Sequence, residues 1–165
     1  MRNRPELKVF VYGTLKSGYQ NHVRFCQGVI RVEPAIVWGR LYDLGVGYPA
    51  LQLPETAILG HGTTNPVVDV RIQAAQGVVH QAYKPLERPF GDWGEVHGEV
   101  LTFGFPPRQL EGMDRLEGFK PGQRSLYERV LTVAQWNGAT GPVWAYVMPE
   151  VRGGKRILEG VWGKP

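Results

Sequence analysis

The chain has 165 residues, 42% hydrophobic and 21% charged, with a net charge of +4. That is the size of one domain able to bury its own core, and 22 glycines and 13 prolines disfavour a bundle of long helices. A lone cysteine excludes an internal disulfide framework, and no apolar run reaches the roughly 18 residues that span a bilayer.

The start, MRNRPELK, is polar and lacks the apolar stretch of a secretory signal. A cytoplasmic location without a membrane partner is therefore expected. The cations are scattered and do not interleave with aromatics, which argues against a nucleic-acid partner.

Leu7 to Tyr12, LKVFVY, reads as a strand buried on both faces. Gly13 to Asn21 is turn chemistry, and a helical turn fits His22 to Cys26. Ala35 to Leu44 reads as a second strand, with Gly39 as a bulge. Leu53 to Trp93 differs in character, with prolines at 54, 66, 85 and 89. Within it VVDVRIQ and VVHQAY flank Ala74-Ala75-Gln76-Gly77, which predicts a β-hairpin arm outside the core. Glu95 to Phe103 resumes the strand pattern. Pro107 to Glu117 predicts a helix, with Leu110, Met113 and Leu116 at three-residue spacing and Gly118 as its stop. Tyr127 to Trp136 is a strand, and VWAYVM returns as its hairpin partner after a turn over Asn137 to Pro142. The expected architecture is one α+β domain over 1–165 with an insertion at about 53–93.

Several motifs lead nowhere. Gly45-Val-Gly47-Tyr-Pro-Ala50 formally matches a dinucleotide fingerprint, but Pro49 falls where that motif continues as helix. His22, His61, His80 and His97 are dispersed, so no metal site is expected. Ser17 and Ser125 lack the nucleophile-elbow context. Cys26 near His22 reads more readily as a buried thiol than as a nucleophile.

Two pieces remain. Tyr12-Gly13-Thr14-Leu15 directly follows the first strand, where a turn can present backbone N–H groups to an anion. Glu111, Asp114 and Glu117 recur every three residues on the helix. They form either a solvated acidic face or a site, and Glu117, at the negative end of the helix dipole, is locally unfavourable there.

FVYGTLKSGYQNH, GRLYDLGVGYPAL, VHGEVL, MDRLEGF, Tyr127-Glu-Arg129 and RILEGVW, in this order, resemble the γ-glutamyl cyclotransferase-like family. The resemblance covers about Val9 to Trp162, except the stretch from Leu53 to Trp93. It implies a compact, mostly antiparallel β-barrel with a few short flanking helices and a cavity at one side. It implies that Tyr12, Gly13, Thr14 and Leu15 hold a γ-glutamyl group through main-chain amides, that Glu117 is the catalytic carboxylate, and that Tyr127 lines the pocket. Two features depart from the family: the long 53–93 stretch, and Gly160-Val161-Trp162 where a G-D-W tail is common.

The chemistry this implies needs no cofactor. The α-amine of a γ-glutamyl compound attacks its own γ-carbonyl, releasing 5-oxoproline and an amine or amino acid. A tethered nucleophile gains up to about 7–11 kcal/mol from proximity, and one carboxylate can take and return the proton. A non-catalytic small-molecule-binding barrel of the same family is the alternative, and a basic single-stranded nucleic-acid binder a third.

Overall fold

The computed structural model describes residues 4–79 and 86–163. Its centre is two strands buried on both faces. β1 (Leu7–Val11) pairs parallel to β7 (Ala139–Val147) through Val9–Trp144 and Phe10–Ala145. Their near-continuous apolar runs fit such a central place, since neither face meets water. β5 (Gly94–Phe103) runs antiparallel to β1 and on its other side to β2 (Val29–Asp43). β6 (Glu128–Trp136) forms a hairpin with β7 across Asn137-Gly138, both at positive φ. That two-residue turn, of the kind that matches strand twist, is tighter than the turn the sequence suggests. One residue pair, Ile36–Gln135, brings β6 back against β2. Short strands extend this sheet: β3 (Pro49–Gln52) and β8 (Lys155–Arg156) on β2, and β4 (Gly60–His61) on β6. The fold is α+β and sheet-dominated.

Two apolar cores flank the central strands. One gathers Phe10, Val37, Leu51, Val100, Val130 and Ala145 from six strands. The other lies beneath helices and includes Val9, Trp144, Val70, Leu110 and Met113. α1 (Gln20–Phe25) is short, and α3 (Gln109–Glu117) buries Leu110 and Met113. The three-residue apolar spacing thus marks a true buried face. α3 stops at Gly118, whose φ of 67° closes the helix in the left-handed region. No helix among the described residues is long and apolar enough to cross a membrane.

The expected hairpin arm is instead a helix, α2 (Pro66–Val79). Asn65 caps it, its Oδ1 accepting the N–H groups of Val67 and Val68 at 3.1 and 3.3 Å. Pro66 occupies the first position, where its missing N–H costs nothing. Asp69, Val70 and Gln73 are buried at helical spacing. Gln73 Nε2 donates to the carbonyls of Lys8 and Pro142, both at 2.9 Å, and so fastens α2 across β1 and β7. The second expected strand, Val78 to Tyr83, begins as helix through Val79; residues 80–85 lie outside the described residues. Gly39 is likewise no bulge. It pairs in register with Gly94, and a Cβ there would stand 2.8 Å from the Gln52 carbonyl.

These contacts place α2 within the core rather than outside it. A chain in which a short Gly-Ser bridge replaces Pro54 to Phe90 is expected to lose cooperative thermal unfolding, because Val70 and Asp69 leave with it. A sharp transition in that chain would return the segment to the status of a detachable arm.

Candidate active site

β1 ends at Val11 and the chain turns at once through Tyr12, Gly13, Thr14 and Leu15. The backbone N–H groups of Gly13, Thr14 and Leu15 have no acceptor among the described residues. All three residues line a cavity of about 30 Å³. Unpaired donors beside a cavity are poised for an anionic or polarised oxygen. The loop is held from outside. Glu99 receives the Ser17 N–H at 2.6 Å and the Ser17 hydroxyl at 2.5 Å. The Thr14 hydroxyl accepts from Asn21 Nδ2 at 3.0 Å, and His22 Nδ1 lies 2.8 Å from the Leu15 carbonyl.

Gly13 is required for close packing rather than for backbone torsion. A Cβ on it would lie 2.8 Å from the Cδ and Cγ of Pro49. The Pro49 ring is rigid, and its carbonyl is itself fixed by the Tyr127 hydroxyl at 2.5 Å.

Glu117, the last residue of α3, lines the same cavity. Burial pushes its carboxyl up to about 7. Among the described residues it has no hydrogen-bond or ion-pair partner. Three tyrosines surround it: Tyr12, Tyr127 and Tyr146. Each phenol already donates its proton, Tyr12 to the Tyr146 carbonyl, Tyr127 to the Pro49 carbonyl, and Tyr146 to Asp114 Oδ1, each at 2.5 Å. Burial raises the pKa of all three, so they stay neutral.

Residues three apart on a helix drift by about 60° per step, so the acidic trio does not share one environment. Glu111 is exposed and lies 3.8 Å from Arg115. Asp114 turns to the fully buried Arg129, its Oδ1 2.8 Å from Nε. Asp69 of α2 approaches the same guanidinium at 2.9 Å from the other side. Phe119 and Trp144 cover its faces at 5.2 and 4.9 Å. A buried cation between two carboxylates therefore joins α2, α3 and β6 one turn behind Glu117.

Folding thus brings together every residue expected at the site: Tyr12, Gly13, Thr14, Leu15, Glu117 and Tyr127. Tyr48, Pro49 and Tyr146 join them. Cys26 is buried and its thiol is pushed up to about 12, which leaves it unreactive. No cluster of metal-binding side chains occurs among the described residues.

The raised carboxyl has a consequence that needs no substrate. From its ordinary value near 4.5 to about 7, the folded state binds the proton more tightly than the unfolded state. Stability therefore falls as pH rises through that window, by up to about 3 kcal/mol. Glu117→Gln is expected to melt higher than the parent at pH 8, with the gap closing by pH 4. Equal melting temperatures at both pH values would mean the carboxyl is not buried in solution.

The family model described as gamma-glutamyl cyclotransferase, AIG2-like, matches residues 9–64 and 67–164. A curated relative, the gamma-L-glutamyl-butirosin B gamma-glutamyl cyclotransferase of Niallia circulans, is 28% identical over 140 residues. That match covers 84% of this chain and 65% of the relative, so the chain spans just under two thirds of its length. Among solved structures, YkqA from Bacillus subtilis is similar with a TM-score of 0.57 at 16% identity, over 95% of this chain and 39% of that one. An AIG2-like protein from Mus musculus is similar with a TM-score of 0.53 at 18% identity, over 91% and 82% of the two chains. These structural likenesses speak to the fold.

Proposed function

This chain belongs to the gamma-glutamyl cyclotransferase, AIG2-like family, and on that premise we propose that it cyclises a γ-glutamyl compound to 5-oxoproline with Glu117 as its proton carrier. The observation that carries the reading is the placing of Glu117, held near neutrality, on one cavity with three residues whose amides have no acceptor among the described residues.

In the proposed reaction Glu117 takes a proton from the substrate α-ammonium. The freed amine attacks the γ-carbonyl carbon, forming the ring C–N bond. The carbonyl oxygen becomes an oxyanion and is received by the amides of Gly13 to Leu15, where each donor contributes about 3 kcal/mol. Collapse of the intermediate breaks the bond to the leaving nitrogen, which receives the first proton from Glu117; the ring nitrogen, left by the attack with one proton too many, passes it to the regenerated carboxylate and on to the released amine or solvent. The nitrogen departs as an amine or amino acid. A carboxyl titrating near 7 suits both halves of that exchange. The phenols of Tyr12, Tyr127 and Tyr146, with their protons committed elsewhere, leave oxygen lone pairs as acceptors around the ammonium.

The test is release of 5-oxoproline from γ-glutamyl amines, γ-glutamyl amino acids and glutathione. Release from at least one is expected; binding without release from any would make the chain a binding protein. The loop has its own test. Gly13→Val is expected to abolish both binding and turnover by driving into Pro49, while Thr14→Ser keeps most activity because the donors are backbone groups. Parent-like turnover in Gly13→Val would remove the loop from the mechanism.

A further inference from the structure

A γ-glutamyl compound has two halves, one on each side of the amide to be broken. The cavity at Glu117, about 30 Å³, has room for only a water or two as it stands. Neither half of the substrate is enclosed by it, so the leaving half continues from the loop and Glu117 onto the surface beside the cavity. Tyr48 is a wall of the cavity and also lines an open groove of about 590 Å³. Tyr127 lines the cavity while its neighbours Leu126 and Glu128 line the groove, as the alternation of an extended chain requires. The loop before β3 alternates in the same way. Leu44, Val46 and Tyr48 line this groove, while Gly45 and Gly47 line another of about 780 Å³ that shares no lining residue with the cavity.

The groove has a distinctive surface. Val46, Tyr48 and Leu126 are 60%, 40% and 57% exposed, and all three lie along it. Single exposed apolar residues need no explanation, but three lining one groove beside a cavity do. The charges there balance. Arg152 pairs with Glu150 at 3.1 Å, and Arg124 and Glu128 supply one more of each sign.

We propose that this groove receives the leaving half of the γ-glutamyl substrate and selects for an apolar one, with Val46, Tyr48 and Leu126 as its contacts. This rests on the cyclisation reading above. Once the bond to the leaving nitrogen breaks and that nitrogen takes its proton, the released amine departs along the groove, while 5-oxoproline remains with the loop amides.

The experiment compares γ-glutamyl-phenylalanine with γ-glutamyl-glycine on the parent, Val46→Ser and Leu126→Ser. Both positions are exposed, so the fold tolerates the changes. The parent is expected to favour the phenylalanine substrate by about tenfold or more in kcat/KM. Each substitution is expected to lower kcat/KM for that substrate about fivefold and leave the glycine substrate unchanged. Equal kcat/KM for both substrates, unmoved by either substitution, would overturn the groove and leave the cyclisation standing. Without 5-oxoproline from either substrate, the γ-glutamyl amines and glutathione decide the cyclisation, and calorimetric binding of γ-glutamyl-phenylalanine decides the groove. Weaker binding to Leu126→Ser than to the parent supports it; equal binding, or none, overturns it.

Discussion

Glu117→Gln is expected to lower the rate of 5-oxoproline release by about 10²–10⁴ while leaving substrate binding largely intact. The amide keeps the shape of the carboxyl but cannot accept the α-ammonium proton. The parent should also carry the signature of the group itself. Because the deprotonated form is the base, kcat/KM should rise with pH through about 7 and lose that limb in the variant. Glu111→Gln should change nothing, since Glu111 is exposed and lies 3.8 Å from Arg115. A 5-oxoproline assay across pH 5 to 9, with binding followed by calorimetry, checks all three. Full activity in Glu117→Gln would remove the proton carrier and with it the mechanism.

Arg129→Met is expected to give the largest loss of stability from a single substitution. Its guanidinium is fully buried between Asp69 and Asp114 and covered by two aromatic rings. Methionine fills much of the volume but leaves both carboxylates facing an apolar pocket. Breaking a buried pair from one side costs about 3–5 kcal/mol. In a domain of this size that lowers Tm by about 10 °C or more. Arg129→Lys should recover little, because a single ammonium cannot reach two carboxylates on opposite sides as the planar fork does. Thermal unfolding of both variants is the measurement; a Tm within 2 °C of the parent for Arg129→Met would show that the network contributes nothing net. Since Asp114 also receives the Tyr146 hydroxyl, the same variant should lower kcat at temperatures where it remains folded.

What the sequence showed, and what it hid, follows from the range of the interactions. LKVFV and VWAYV read as strands because continuous apolar, β-branched runs have few other homes. The α3 helix was legible from Leu110, Met113, Leu116 and the glycine that ends it. The α2 helix was not, because two of its inward residues, Asp69 and Gln73, are polar, so the apolar period of a helix never forms. Its valines then imitate a strand. Glu117 stood out from Glu111 and Asp114 through its place at the helix end and its match to a family motif. The partners of Asp114 could not be read at all. Arg129 and Tyr146 lie 15 and 32 residues away in sequence, and only the folded sheet brings them to one carboxylate.

The single Ile36–Gln135 pair between β2 and β6 also predicts how the molecule breathes. Between the other long strands, opening a gap means breaking two residue pairs, as for β1 with β7, or more. Here one pair suffices, and a shallow groove bounded by Pro34, His97 and Gln135 runs alongside it. Amide protons at this seam should therefore exchange with solvent through brief local opening, while those of β1 and β7 await global unfolding. The seam lies eight residues along β6 from Tyr127, about 25 Å away for an extended chain. The strands can part at that end without disturbing the geometry around Glu117, so slow and fast exchange should divide the sheet lengthwise, with the end that carries Tyr127 on the slow side.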